Sequence, residues 1–238
     1  MSELVLVRHG QAAAFTADTD RLTELGERQI ETLARWWVTR GVTFDDVRSG
    51  TLRRQVESER IVARVYAAAG RPWPEPLRDP GWNEYDATGV MGKFAPALAA
   101  REPTFQALVH DFETNRERPD RNRWFQRMFE VLIDHWVRGE HEPDGVEPFR
   151  AFHTRVLDAR ERVRSGPNGR KVAVFSSGGA IGVCVQTSLD APPAAALKVN
   201  WRVRNASLTE FTFSRDRISL DAFNAIAHLD DPALLSFR

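Results

Sequence analysis

A single cysteine, Cys184, is all the thiol this 238-residue chain contains, so it closes no disulfide with itself and cannot alone build a thiolate cluster. Set in Ile181-Gly182-Val183-Cys184-Val185, it reads as a plain buried thiol, and the scarcity suits a reducing, cytoplasmic compartment. Excess charge is also missing. Lys plus Arg total 33 and Asp plus Glu total 33, which leaves no global field to gather nucleic acid or an anionic membrane. Any anion must therefore be held by local geometry. Long hydrophobic runs are absent: Met1-Ser2-Glu3-Leu4 leads into no signal-like segment, and no later stretch is long enough to cross a bilayer. Neither nucleic acid nor membrane is expected as a partner, and the oligomeric state is left open. His110, His135, His141, His153 and His228 show no metal-ligand spacing, so no metal and no cofactor are expected.

What the chain does contain is an alternation of short apolar runs and amphipathic stretches. Leu4-Val5-Leu6-Val7 ends abruptly at Arg8-His9-Gly10, as expected of a parallel strand buried on both faces and opening into a loop. Thr23 offers an N-cap for a helix through Ile30, Leu33 and Trp37 that Gly41 stops. A second helix runs from Leu52 to Gly70, with Arg53 and Arg54 in its first turn, before the breakers Pro72-Trp73-Pro74-Glu75-Pro76. From about 90 to 145 the chain is helical and aromatic, with Trp124, Met128, Leu132 and Trp136 on one stripe, which reads as an inserted cap within a single domain spanning 1–238. The arginines there, Arg116, Arg118, Arg121, Arg123 and Arg127, are interleaved with acids and read as a structural or capping surface. A helix through Phe152 and Val163 follows, then a strand at Val172-Ala173-Val174-Phe175 that runs into Ser176-Ser177-Gly178-Gly179 and another helix. Leu208–Phe213 and Ile218–Phe223 form an antiparallel hairpin at the sheet edge. The predicted fold class is a three-layer α/β/α sandwich with a mostly parallel sheet, an antiparallel edge and a helical cap insertion.

In open α/β sheets ligands bind where strands end and helices begin, because loops converge there and helix N-termini present N–H groups to anions. Two loops occupy that position. One carries Arg8, His9, Gly10 and Gln11: a cation, a nucleophile, and a glycine that lets backbone approach a ligand closely. The other carries Ser176, Ser177, Gly178 and Gly179 at a helix N-terminus.

These motifs resemble the histidine phosphatase superfamily, also called phosphoglycerate mutase-like, along nearly the whole chain. Arg8-His9-Gly10-Gln11 is similar to its R-H-G-E/Q motif, and Leu22-Thr23-Glu24-Leu25-Gly26-Glu27-Arg28-Gln29 to its L-T-x-x-G-x-x-Q helix start. Gly50 to Ser58 resembles S-P-L-x-R-x-x-Q-T in spacing, which puts the second phosphate-binding arginine at Arg54 and makes Arg53 a bystander. Trp82-Asn83-Glu84-Tyr85-Asp86 resembles the segment that supplies an acidic proton donor, landing on Glu84, with Asp79 and Asp86 as open alternatives. Asn205-Ala206-Ser207 resembles a closing N-x-S element. One departure stands out: Ser177 occupies the frame where the family usually has a second pocket histidine, in Ser-His-Gly-Gly. A hydroxyl still donates a hydrogen bond but carries no charge, and losing one electrostatic donor costs on the order of 100-fold in rate.

The resemblance implies a metal-independent phosphomonoester hydrolase acting on a small phosphorylated metabolite. His9 would be the nucleophile, Glu84 the acid, and Arg8 and Arg54 the clamp, with Gln11, Ser177 and Gly178 as further phosphate-binding groups. A hydrogen bond from the second ring nitrogen of His9 to a backbone carbonyl or a carboxylate, with Glu147 as a candidate, is expected to fix the tautomer. Two alternatives are a phosphoglycerate-type mutase and a noncatalytic phospholigand-binding member. The mutase is disfavoured because Ala12-Ala13-Ala14-Phe15 offers almost no polar group to hold a second phosphate or carboxylate.

Overall fold

The computed structural model describes residues 1–13 and 20–237, and its contacts divide the chain into two compact units: Met1–Glu84 with Arg155–Arg238, and Tyr85–Thr154. The first unit carries the sheet. Its elements are β1 (Ser2–Arg8), α1 (Glu24–Thr39), β2 (Asp46–Ser49), α2 (Arg53–Ala68) and β3 (Leu77–Arg78). They resume after the second unit with β4 (Lys171–Ser176), α8 (Gly178–Ser188), α9 (Ala195–Asn200), β5 (Leu208–Phe213) and β6 (Ile218–Ala225). Strand order is β3-β2-β4-β1-β5-β6, with β1 to β4 mutually parallel and the β5–β6 hairpin antiparallel at one edge. The α/β architecture, the mostly parallel sheet and the antiparallel edge are as the sequence predicts. Sequence periodicity alone did not show β2 and β3, because Asp46-Val47-Arg48-Ser49 is half polar and two-residue β3 follows the proline run.

Apolar alternation explains the layering. Val5, Val7, Ala173 and Phe175 point into one core with Ile30, Leu33, Trp37, Val62 and Tyr66 from α1 and α2. Leu4, Leu6, Val172 and Val174, which are equally buried, must point to the opposite face, because successive strand residues alternate. Central parallel strands are covered on both sides, which is why β1 and β4 read as unbroken apolar runs. The cap of α1 is Thr23, whose hydroxyl accepts the Gly26 N–H at 3.1 Å, and Gly41 leaves the helix at φ +66.

The second unit holds α3 (Ala87–Gly89), a π-helical turn at Val90–Phe94, α4 (Ala95–Ala99), α5 (Pro103–Thr114) and α6 (Arg121–Arg138). The next helix, α7 (Phe149–Arg164), begins in this unit and ends in the first. Met128, Leu132 and Trp136 are buried as the α6 stripe predicts, and Trp136 lies 5.1 Å from Tyr85 and 5.3 Å from Phe149 between ring centres. Arg116 and Arg118 pair with Glu113 and Asp120, so part of the basic run is neutralised locally. Among the described residues no helix is long and apolar enough to cross a membrane.

Two buried side chains away from the loops that follow β1 and β4 report on stability. Burial pushes the Cys184 thiol up to about 12, which makes it an inert core group. Burial also pulls His228 down to about 4, although its Nε2–H donates to the Ala206 carbonyl at 3.0 Å. Between pH 6.5 and 4 the unfolded chain then binds a proton at His228 that the folded chain refuses, so stability is lost as pH falls through that window. The unfolding free energy from urea titrations should drop across it by on the order of 3 kcal/mol for this group, and His228→Asn should flatten the slope. A variant whose midpoint still falls as steeply would remove His228 as the source.

Candidate active site

The site is built where β1 and β4 end side by side. The register pairs Arg8 with Ser176, and the His9 N–H donates to the Ser176 carbonyl at 3.0 Å, so His9 and Ser177 leave adjacent strands together. On the other side the His9 carbonyl accepts the Ala206 N–H and the Asn205 Nδ2 amide, each at 3.3 Å. Asn205 is buried, and Ser236 donates to its Oδ1 at 2.9 Å, so the N-x-S element fixes the backbone of the loop that carries His9.

Glycine at position 10 serves packing against α1. A Cβ on Gly10 would overlap the Gly26 carbonyl, and one on Gly26 would overlap the Gln11 carbonyl, so the two glycines let the loop lie backbone to backbone on the helix start. This corrects the expectation that Gly10 makes room for a ligand. Gln29, fully buried, accepts the Gln11 N–H at 2.9 Å and donates to the Leu234 carbonyl at 2.7 Å. The L-T-x-x-G-x-x-Q motif is therefore scaffold: cap, close approach and anchor.

His9 is only 6% exposed. Its Nδ1 faces the Gly10 carbonyl at 2.7 Å, and its Nε2 accepts from Arg54 Nε at 3.1 Å. A carbonyl accepts only, so Nδ1 carries the hydrogen and Nε2 the lone pair. The tautomer-fixing partner is thus a backbone carbonyl next in the chain, in place of Glu147. Burial first, then the charges of Arg54 and Arg8, hold the imidazole well below its ordinary range, against a smaller opposing effect of the Gly10 carbonyl. The ring is neutral at working pH.

The other expected residues fall as follows. Arg54, in the first turn of α2, pairs with Asp20 at 2.5 Å through its Nη1, and Asp20 also accepts the Arg53 N–H at 2.7 Å. Arg53 itself pairs with Glu57 at 2.6 Å, as a bystander should. Arg8 donates to the Val203 carbonyl. Gln11 accepts from the Thr23 hydroxyl at 2.9 Å through its side-chain oxygen. Ser177 caps α8 without a side-chain bond to the helix, and a Cβ on Gly178 would overlap the Asn200 side chain.

Glu84 places both carboxylate oxygens 3.1 Å from the Gly179 N–H, so the anion at the start of α8 is this side chain. Its segment is pinned from several directions. Arg155 donates to the Asn83 and Glu84 carbonyls at 2.9 and 3.0 Å, and Asn83 exchanges hydrogen bonds with Thr51 at 2.7 and 2.8 Å. Of the alternative acids, Asp79 caps Gly81 and pairs with Arg162 at 2.9 Å, while Asp86 caps the first turn of α3 through the Gly89 N–H. Both carboxylates are held in local caps, whereas Glu84 meets the start of α8. Sequence reasoning missed Asp20, Gln55 and Arg155 as neighbours of the site; Asp20 and Arg155 carried no motif, and Gln55 lay at a variable position of one.

The family model described as histidine phosphatase superfamily (branch 1) matches residues 4–132 and 120–226, nearly the whole chain. The chain belongs to this superfamily. A probable phosphoglycerate mutase of Yersinia enterocolitica is 25% identical over 246 residues, covering 98% of this chain and 98% of that protein. A phosphoserine phosphatase of Entamoeba histolytica, solved with phosphoserine, shares the fold at TM-score 0.62 with 18% identity, covering 96% of this chain and all of that one. The α-ribazole phosphatase of Shigella flexneri does so at TM-score 0.60 with 18% identity, over 94% of this chain and 97% of its own. The proteins that share its fold thus include phosphatases, and a relative in sequence is a probable mutase.

Proposed function

We propose that this superfamily member is a metal-independent phosphomonoesterase that acts on a small phosphorylated metabolite through a phosphohistidine at His9. The observation that carries the reading is the state of the ring: neutral, with Nδ1–H tied to Gly10 and the Nε2 lone pair turned to Arg54. As Arg54 turns its N–H groups to the phosphoryl oxygens, the freed Nε2 lone pair attacks phosphorus in line while the ester P–O bond breaks, and protonated Glu84 gives its proton to the leaving oxygen. Arg8 and Arg54 neutralise the equatorial oxygens, Arg54 exchanging Asp20 for phosphate. In the second half-reaction Glu84 takes a proton from water, the oxygen attacks phosphorus, and the P–N bond breaks to return the neutral imidazole. Ser177, the amide end of Gln11 and the Gly178 region supply further donors.

Rapid quenching after mixing with p-nitrophenyl phosphate should yield a burst of nitrophenol and an acid-labile label on His9. Steady turnover with neither would remove the phosphohistidine, and binding without any turnover would favour the noncatalytic alternative. Glu84→Gln should lower kcat about 100-fold or more on alkyl phosphates, whose leaving oxygens need a proton, and much less on p-nitrophenyl phosphate. Equal losses on both esters would argue against Glu84 as the acid. The mutase alternative is not favoured: Ala12 and Ala13 offer no polar group, and Ala14 to Thr19 lie outside the described residues.

A further inference from the structure

Among the positions where this chain departs from the superfamily pattern, Gly50 stands where the motif has serine, and Ser177 where it has the second histidine. One side chain lies against both. Gln55, fully buried in the first turn of α2 and next in the chain to Arg54, would be overlapped by any Cβ on Gly50. Its Nε2 donates to the Ser177 hydroxyl oxygen at 2.8 Å and to the Trp82 carbonyl at 3.0 Å, while its Oε1 accepts the Leu52 N–H at 3.3 Å.

The Trp82 carbonyl decides which way this amide points. Two acceptors cannot face each other, so the NH2 end is committed to Trp82 and hence to Ser177, and Oε1 to the otherwise unpartnered helix-start N–H of Leu52. Ser177 is thereby an acceptor in this pair, and its own proton is left to donate elsewhere. Ser176 donates to the same Trp82 carbonyl at 2.8 Å, so the segment leading to Glu84 is tied to α2 and to the end of β4 at one point. Ser177 has no exposed surface, so an imidazole there would need the volume that Gln55 fills.

Building on the phosphohistidine reading, we propose that Gln55, admitted by Gly50, is a positioning residue that with Ser177 takes the place of the second histidine. The clamped amide fixes the buried Ser177 hydroxyl as its acceptor and holds Trp82–Glu84 at a set distance from the helix that carries Arg54. Restoring histidine alone would then not restore the family's pocket, because the place is taken.

Four proteins test this: wild type, Gln55→Ala, Ser177→His and the double variant, each assayed for kcat/KM on p-nitrophenyl phosphate and on an alkyl phosphate. Ser177→His alone should lose about tenfold or more, and adding Gln55→Ala should recover most of that loss, a coupling that independent sites do not show. Gln55→Ala alone should lose more on the alkyl phosphate, because the acid-bearing segment has lost a strut. Full activity in Ser177→His, additive losses in the double variant, or an equal loss on both esters in Gln55→Ala would each overturn the proposal. Should Ser177→His not fold, the ester split in Gln55→Ala still decides. Acid-labile labelling of the wild type separates the two levels: label with additive variants sinks only the Gln55 role, whereas turnover without label sinks the phosphohistidine itself.

Discussion

Replacing His9 by alanine is expected to lower kcat by roughly 10,000-fold or more and to abolish the acid-labile label, because no other described side chain presents a neutral nitrogen lone pair beside Arg54. The backbone of the loop should survive the change. The bonds from the His9 N–H to Ser176 and from Ala206 and Asn205 to the His9 carbonyl do not involve the imidazole, and the Nδ1–Gly10 bond is the one lost. Truncating a buried polar ring leaves a cavity, so thermal unfolding should be recorded alongside turnover to show that the variant is folded. Folded protein that still hydrolyses p-nitrophenyl phosphate at near the wild-type rate would end the nucleophile assignment, whatever the fold.

Arg54→Ala should cost about 1,000-fold in kcat/KM, the scale of one guanidinium acting on a transferring phosphoryl group. Two effects combine. The fork that meets the equatorial oxygens is lost, and so is the N–H that aims the Nε2 lone pair. Arg54→Lys should recover only part of the rate, because an ammonium keeps the charge without the planar geometry. The pH profile adds a check with a definite sign. Arg54 is the larger of the two charges that depress His9, so its removal lets the imidazole rise toward its ordinary value. The acid limb of kcat/KM that reports protonation of His9 should therefore move to higher pH in Arg54→Ala, and by less in Arg54→Lys. A limb that stays where it is in both variants would mean that the two side chains do not face each other in solution.

Legibility differed between element types for physical reasons. Buried strands such as Leu4–Val7 and Val172–Phe175 were plain because coverage on both faces demands unbroken apolar runs. Strand β2 was not, because Asp46 and Arg48 are polar; they pair with each other at 2.9 Å, and Arg170 adds a third charge to Asp46 at the same distance. Neutralisation of that kind depends on residues distant in the chain. Short α9 likewise carries too few residues to show a period. In the site, His9, Arg8, Arg54 and Glu84 were each named from motifs, whereas Glu147 was named for its chemistry without a motif, and a main-chain carbonyl holds the nitrogen instead.

By itself, the sequence determined the strand, loop and helix order, the place of the Arg8–Gln11 loop at a strand end, the family to which the chain belongs and the absence of charge excess, since each depends on local pattern or on composition. Only the tertiary structure decided which nitrogen of His9 holds the lone pair, that Gly10 and Gly26 pack against each other, that Glu84 and not Asp79 or Asp86 meets the start of α8, and that Gln55 reaches Ser177. Hydrogen-bond partners in a buried site are chosen by three-dimensional convergence of distant segments, His9 and Asn205 being 196 residues apart, and no period or propensity along the chain encodes that distance.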